Sequence, residues 1–401
     1  MKTYQLKKLQ VDSVDLKCLI ISRGVKVDKS VYKWANQQNG DTRNARLDIN
    51  PLCCNCMILS CGTVVQLTDT KFHLQYLSGI LSWDNIKLLR NISDFATPFA
   101  LRMRKGKPIL FYEGEEVDEV SFPHASDFYK QKTEHGLPYI GNAVIQGIDW
   151  AAFQCLWPCE FAAGGETCQF CFSGGDFENM VKQGKKLPSA VSPEDFCEIL
   201  SYAMYHDDVS CLQITGGSTY DGNSEAKHIM EYLNIIEDIF LEEVLLYITP
   251  PKDTEIADNY LVSGATRIAC SLEVWDIAKA KEITPGKINR VGREAYLKML
   301  EHIAQKFGPA KAFSNFIIGI EAFESLAEGA TWLAERGILP TASIWMPMGR
   351  PVQGNMKPPE LDYYKRTKEH FAELYTKYKL SPPANHGLNV CIERDVWNWA
   401  H

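Results

Sequence analysis

The chain has 401 residues, 45% of them hydrophobic, which is enough for one large barrel with a side domain or for two domains of ordinary size. Its formal net charge of −8 argues against nonspecific nucleic-acid binding, because such binding draws most of its affinity from Lys and Arg on phosphates. The sequence lacks an apolar run of about 18 residues and a charged-then-apolar leader, so we expect a cytoplasmic protein with no membrane partner and a small-molecule substrate.

The first part of the chain, residues 1–135, lacks the alternation of strands and helices that follows it. The segment LRMRKGKPILFYEGEEVDEV predicts a strand hairpin in which KGK and EGE supply the turns. We interpret this region as a smaller α+β domain that precedes the rest of the fold.

A first cysteine group lies in this region. Cys53, Cys56 and Cys61 have the spacing Cys-X2-Cys-X4-Cys, which suits an auxiliary iron–sulfur cluster, a zinc site or a reactive thiol. Clustered buried cysteines give the same pattern without any ligand. The local sequence leaves these alternatives open.

Residues 136–350 alternate short β-rich runs with helical patterns, which is typical of repeated βα units and a parallel sheet. With one strand inside Tyr139–Ile148, at least six units are predicted, and these make a complete or partial TIM-like barrel of the α/β class. The later predicted strands are Val209–Thr215, Val244–Thr249, Thr266–Leu272, Ala312–Gly319 and Thr341–Met346. Residues 351–401 are predicted to form a closing segment over one end of the barrel.

A second cysteine group lies where a barrel keeps its chemistry, in the loop after a predicted strand. The segment CLWPCEFAAGGETCQFC contains Cys155-X3-Cys159-X8-Cys168-X2-Cys171. Clustered thiolates on one loop bind soft metals. If all four bind, the site is closed and suits structural zinc or an electron-transfer cluster; if three bind, one iron is left open for a substrate.

The second half of this motif resembles that of the radical S-adenosylmethionine (radical SAM) superfamily, which has Cys-X3-Cys-X-aromatic-Cys after the first barrel strand. Cys168-Gln169-Phe170-Cys171 matches its end, whereas Gly164 stands where the first cysteine is expected. The resemblance implies a [4Fe–4S] cluster on Cys159, Cys168 and Cys171, with Cys155 as the alternative first ligand. The shorter loop favours Cys159 because closing it costs less entropy.

Residues from about 140 to 350 also resemble the biotin-synthase-like group of that superfamily. Gly216-Gly217-Ser218 looks like its Gly-Gly-Glu motif, with Ser218 in place of the acid. The resemblance implies that this loop meets the amino group of S-adenosylmethionine. It further implies that Glu273 takes the ribose hydroxyls, that Arg293 clamps the carboxylate, and that Ile318 and Gly319 lie near the adenine.

The implied activity is reductive cleavage of S-adenosylmethionine by the cluster, with an external one-electron donor, and hydrogen abstraction from a small molecule. Transfer of a 3-amino-3-carboxypropyl group is the enzymatic alternative, because Ser218 and the long loop depart from the usual motif. A noncatalytic zinc or iron–sulfur protein is the alternative from a different class. Residues at or near strand ends that could line the substrate cavity are Tyr247, Trp275, Asn315, Trp345 and Arg350.

Overall fold

The computed structural model describes residues 2–31, 33–34, 56–67, 97–123, 128–139, 141–154, 159–171, 181–184, 190–346, 357–383 and 390–401. Predictions made for Cys53, Cys155 and Arg350 lie outside these residues. In the part of the chain that is described, no helix is long and apolar enough to cross a membrane.

The N-terminal region combines a small strand pair, a helix and a mixed sheet. Strands β1 (Thr3–Leu6) and β2 (Leu9–Asp12) pair antiparallel and lead into helix α1 (Ser13–Arg23). The mixed sheet has the order β3-β6-β7-β8-β4-β5 among the described residues. Its strands are β3 (Lys26–Val27), β4 (Cys56–Leu59), β5 (Val64–Gln66), β6 (Phe99–Arg104), β7 (Lys107–Tyr112) and β8 (Glu115–Ser121).

The predicted hairpin is confirmed within this sheet. Strands β6, β7 and β8 pair antiparallel in succession. The turns between them place Gly106 at φ +80° and Gly114 at φ +88°, a left-handed conformation that glycine adopts without steric cost. The KGK and EGE segments therefore turn the chain as their sequence predicts.

The second sheet is an open, partial barrel of the TIM type. Across the described residues its order is β15-β14-β13-β12-β11-β10-β9, in which β10 to β15 run parallel. The strands are β9 (Ala143–Gln146), β10 (Trp150–Gln154), β11 (Cys211–Thr215), β12 (Glu243–Tyr247), β13 (Arg267–Ala269), β14 (Ala312–Ile318) and β15 (Leu339–Ile344). The predicted fold class is confirmed in its partial form.

One predicted strand takes a different role. The strand inside Tyr139–Ile148 is β9, which pairs antiparallel with β10 at the sheet edge and is not the first barrel unit. Gly147, at φ +61°, reverses the chain between the two strands. The strand that leads into the cysteine loop is therefore β10, and WAAF of β10 has too few branched residues to stand out as a strand by composition.

Helices cover the sheet and follow its strands. They are α2 (Glu160–Ala163), α3 (Pro193–His206), α4 (Ala226–Ile235), α5 (Thr254–Val262), α6 (Ile277–Ile283), a π-helix Lys287–Val291, α7 (Arg293–Phe307), α8 (Phe323–Ala334), α9 (Leu361–Tyr378) and α10 (Glu393–Ala400). Ser192 caps α3 by accepting a hydrogen bond from the amide of Asp195, and Pro193 occupies the first turn, as the sequence predicts.

The C-terminal segment contacts the open edge of the sheet. The Ile344 amide donates to Val390 O at 3.0 Å, and the Ile392 amide donates to Ala342 O at 3.1 Å, so this segment runs antiparallel beside β15. One hydrophobic cluster of buried side chains extends from Tyr4 to Val396. The division at residues 135 and 350 stays a prediction.

Candidate active site

A cavity of about 150 Å³ lies at the carboxyl ends of β11, β12 and β13. This is the end of the strands at which the sequence predicts the chemistry. The lining side chains come from the cysteine loop, the glycine loop and the strand ends: Cys159, Phe161, Thr167, Cys168, Phe170, Cys171, Thr215, Gly216, Gly217, Ser218, Tyr247, Ile248, Ala269, Ser271, Glu273 and Lys287. The three predicted cluster ligands, the glycine motif and Glu273 therefore share one cavity.

The residues between Cys159 and Cys168 form ordered local structure. Cys159 precedes helix α2, which takes up the first four residues of the spacing. The amide of Glu160 donates to Ser218 O at 2.8 Å, and the Glu160 carboxylate accepts from the amide of Tyr220 at 2.5 Å. The Tyr220 hydroxyl donates to Glu160 O at 2.9 Å. These bonds fasten the cysteine loop to the glycine loop.

The other side of the cysteine loop rests on the segment that carries the π-helix. The amide of Gln169 donates to Ile283 O at 2.8 Å, and that of Gly286 donates to Glu166 O at 3.1 Å. Gly286 faces the ring of Phe161 so closely that a Cβ would come within 2.4 Å of it. The Glu166 carboxylate also pairs with Arg290. The loop is thus held between two neighbouring segments.

The electrostatics of Cys168 follow from its burial and its neighbours. Burial raises the pKa of this thiol to about 12, and the nearby Cys171 and Cys159 act in the same direction, whereas the charge of Lys287 lowers it. Thiolates are the form that binds metal, so a metal ion or cluster must displace the Cys168 proton. Within the described chain, no three thiol, imidazole or carboxylate groups are already gathered closely enough to hold a metal ion.

A buried carboxylate supports the glycine loop from behind. Glu225 is fully buried and accepts hydrogen bonds from the amide and the hydroxyl of Thr219 at 3.0 and 2.9 Å. Burial raises the pKa of Glu225 to about 7. Because Thr219 directly follows Ser218, this carboxylate fixes the end of the loop that lines the cavity.

Glu273 is held in an unusual conformation at the end of its strand. Its φ of +69° is left-handed, which is rare for a residue with a side chain. Its amide donates to Asn315 O at 2.9 Å and its carbonyl accepts from Ile317 at 3.0 Å, so β14 imposes the conformation. The Asn315 amide group donates to the Glu273 carboxylate at 3.0 Å. Such enforced strain is typical of functional sites.

Lys287 is a cavity residue to which the sequence assigns no role. Its ammonium donates to Ser271 O at 2.6 Å and to the Glu273 carboxylate at 3.1 Å. It follows Pro285-Gly286, and no local pattern of the sequence sets it apart from the other lysines. Glu160 and Glu225, which hold the loops of the cavity, likewise lie in no motif that identifies them.

Arg293 and Ile318 are not among the described residues that line the cavity. The Arg293 guanidinium lies 3.8 Å from the centroid of the Trp275 ring and donates to the carbonyl of Trp275 at 2.5 Å. Ile318 is buried at the end of β14. Of the aromatic residues proposed for the cavity, Tyr247 lines it, whereas Trp345 packs in a small cluster beside Phe170.

The first cysteine group is only partly described. Cys56 begins β4 and is buried, whereas Cys61 is exposed in the turn after that strand, where its sulfur accepts from the hydroxyl of Tyr4 at 3.2 Å. The Cys56 thiol instead donates to Gly147 O at 3.5 Å, so the two thiols contact different parts of the fold. Neither of them belongs to a group of three or more close metal-ligating side chains among the described residues.

No family model matches the chain, and the following curated relative and solved structures are among the proteins that it resembles. Bacteriochlorophyllide c C-7(1)-hydroxylase of Chlorobaculum limnaeum is 24% identical over 290 residues, which cover 68% of this chain and 72% of that protein. A radical SAM methyltransferase from Sphaerobacter thermophilus is 12% identical, with a TM-score of 0.39 and coverage of 76% of this chain and 85% of that one. Methylornithine synthase is 13% identical, with a TM-score of 0.40 and coverage of 66% and 84%.

The partial parallel barrel and the cysteine loop at its carboxyl edge are the arrangement expected from the resemblance of the sequence to the radical SAM class of enzymes. A [4Fe–4S] cluster and S-adenosylmethionine are the cofactors of that class. The motif pattern from the glycine loop to β15 resembles that of the biotin-synthase-like group.

Proposed function

We propose that Cys159, Cys168 and Cys171 hold the [4Fe–4S] cluster and that the cavity beside them binds S-adenosylmethionine and a small-molecule substrate. When bound, the cluster supplies one electron and an open iron site, and S-adenosylmethionine supplies the 5′-deoxyadenosyl radical that abstracts hydrogen from the substrate. The observation that carries the proposal is that three thiols on one loop share a cavity with the glycine loop and Glu273.

The donor set fits an iron–sulfur cluster. Three thiols are the ligands that leave one iron open, and the cation Lys287 in the same cavity offsets their negative charge. We propose Cys159 as the first cluster ligand in chain order, because it lines the cavity beside Cys168. Cys155 is the alternative. An external protein or small molecule must supply the electron.

The glycine loop and the strand ends are proposed to orient S-adenosylmethionine. Gly216 and Gly217 allow the ligand to approach the backbone, and Ser218 offers a hydroxyl in place of an acid. Glu273 is proposed to bind the ribose hydroxyls, Ile318 to lie near the adenine and Arg293 to clamp the carboxylate. The Arg293 role requires its guanidinium to leave the Trp275 ring, because the ring and the carbonyl of Trp275 hold it.

The similarity to a hydroxylase supports chemistry at a C–H bond over transfer of an aminocarboxypropyl group. The two reactions leave different nucleosides: hydrogen abstraction gives 5′-deoxyadenosine, whereas group transfer gives 5′-methylthioadenosine. The hypothesis of a second cluster or zinc on Cys53, Cys56 and Cys61 has weaker support, because Cys56 and Cys61 contact different parts of the fold.

The test is anaerobic reconstitution with iron and sulfide, followed by iron and sulfide counts per chain and electron paramagnetic resonance of the reduced protein. We expect about four irons per chain, as a [4Fe–4S] cluster requires, and a signal that changes when S-adenosylmethionine is added. Cys168→Ala and Cys171→Ala should each lose the cluster, whereas Cys197→Ala, on helix α3, should keep it.

The same assay compares Cys159→Ala with Cys155→Ala and so identifies the first ligand. Zinc in place of iron, or a cluster signal that S-adenosylmethionine leaves unchanged, would contradict the proposal and favour a noncatalytic metal protein. A cluster that survives in Cys168→Ala would show that other residues bind it.

A further inference from the structure

Lys287 places a buried positive charge on the wall of the thiol cavity. Its side chain is 13% exposed, and its ammonium donates to Ser271 O at 2.6 Å and to a Glu273 carboxylate oxygen at 3.1 Å. Lysine is rarely buried unless it is paired, so its partners hold this charge where it is. The ammonium also lies 5.8 Å from the centroid of the Tyr296 ring, which favours a cation.

The partners of Lys287 are themselves fixed. Glu273 receives a second hydrogen bond from Asn315 at 3.0 Å, and the Asn315 oxygen accepts from the hydroxyls of Thr341 and Ser343 at 3.3 and 3.2 Å. This chain of hydrogen bonds anchors the carboxylate to β14 and β15. Lys287 is therefore held at one place relative to the cysteine loop and does not sample the cavity freely.

Apart from the thiols, Glu273 and Lys287 are the ionisable charges among the described residues that line the cavity. Their charges oppose each other across an ion pair of 3.1 Å, so removing either side chain changes the net charge of the cavity. The nearby Glu166 and Arg290 pair with each other in a more exposed position. Removing Lys287 would therefore leave the Glu273 carboxylate as the remaining fixed charge beside the thiols.

We infer that Lys287 tunes the reduction potential of the cluster by stabilising its reduced form. Accepting an electron adds one negative charge next to three thiolates, and a fixed cation in a poorly solvated cavity favours the state with that extra charge. The inference rests on the proposed function, since it requires a cluster on these cysteines. Lys287 acts here through its charge, without being a ligand of the metal.

The test is a potentiometric titration of the reconstituted full-length protein without S-adenosylmethionine, followed by electron paramagnetic resonance. In Lys287→Met we expect the ratio of reduced to oxidised cluster at a fixed potential to fall by about tenfold, which corresponds to a midpoint about 59 mV more negative for one electron. Lys287→Arg should stay close to the wild type, because it keeps the charge. Lys298→Met, on the exposed face of α7, is the matched control and should have no effect.

A second variant covers the case in which Lys287→Met loses iron. Glu273→Gln removes the opposing negative charge and should shift the midpoint in the positive direction. Equal midpoints in the wild type and in both Lys287→Met and Glu273→Gln, at equal iron content, would overturn the inference and leave the proposed function intact. A wild-type protein that takes up no cluster would overturn both.

Discussion

At the scale of single residues, Gly222 is a position beside the active site where backbone atoms leave no room for a side chain. A Cβ on Gly222 would lie 2.6 Å from Thr249 O, 2.8 Å from Pro251 N and 2.9 Å from Pro250 C, all of them backbone atoms that cannot rotate away. We expect Gly222→Ala to lower the free energy of unfolding by roughly 1–3 kcal/mol, the usual cost of overpacking. The measurement is the midpoint of urea unfolding.

Lys227→Ala is the control for Gly222→Ala, because Lys227 is exposed on the helix that follows the turn. It should change the midpoint little, since exposed pairs contribute little stability. A Gly222→Ala protein as stable as this control would mean that the turn can open without loss.

Single residues also show why the sequence predicted only part of the site. Cys168, Cys171 and the glycine pair stand in short local motifs, so their spacing predicted a shared location. Lys287 and Glu160 act through partners that are distant in sequence: Lys287 bonds Glu273, and Glu160 bonds Tyr220 sixty positions away. Such pairs depend on the register of the whole sheet, which no local pattern encodes.

At the scale of elements, helix α2 joins the cysteine loop to the glycine loop. Removing the Glu160 carboxylate should free the amide of Tyr220 and let the two loops shift against each other. Hydrogen bonds to charged groups contribute about 1.5–3 kcal/mol. We therefore expect Glu160→Ala to bind S-adenosylmethionine about tenfold more weakly, the effect of about 1.4 kcal/mol, with its iron content unchanged.

The measurement for Glu160→Ala is a titration of the reduced cluster signal with S-adenosylmethionine, beside an iron count. Glu160→Gln should recover most of the affinity, because its amide oxygen can still accept from Tyr220. Glu231→Ala, on helix α4, controls for loss of an acid elsewhere. Unchanged affinity in Glu160→Ala would show that the glycine loop keeps its position without this bond.

The local sequence predicts where most barrel strands lie, but it does not predict how every strand pairs. β11, β12, β14 and β15 fall within two residues of their predicted starts, because each is a run of branched and apolar residues. β13 is shorter than predicted, since the chain after Ala269 leaves the ladder toward the strained Glu273. The sequence does not show that β9 turns back against β10, because a strand in isolation does not specify its direction.

At the scale of the whole molecule, the two ends of the chain meet. Lys368 of α9 is nearly buried and pairs with Asp15 at 2.8 Å, and Lys17 of α1 pairs with Asp395 of α10 at 2.7 Å. Breaking a buried pair leaves an uncompensated charge and is strongly destabilising. These pairs therefore tie the N-terminal helix α1 to the C-terminal helices α9 and α10.

Glu393, at the start of α10 and within this contact, predicts how stability depends on pH. Burial raises the pKa of Glu393 to about 7, above its ordinary value of 4.5, so the folded state binds a proton that the unfolded state releases. The contribution of this raised pKa to the free energy of unfolding is fully present below about pH 4.5 and is lost as the pH rises through about 7. It amounts to roughly 3 kcal/mol at most. Glutamine is neutral at every pH and does not incur this loss.

We therefore expect Glu393→Gln to gain stability relative to the wild type between pH 5 and pH 8. The measurement is the urea midpoint of both proteins at each pH, with Glu237→Gln, an exposed position on the surface after α4, as the control. Glu225→Gln does not serve as a control, because Glu225 has the same raised pKa and supports the glycine loop. If the difference between Glu393→Gln and the wild type stays the same at both pH values, Glu393 is ionised in the folded protein, and its charge must be balanced by Lys17, the cation that faces it.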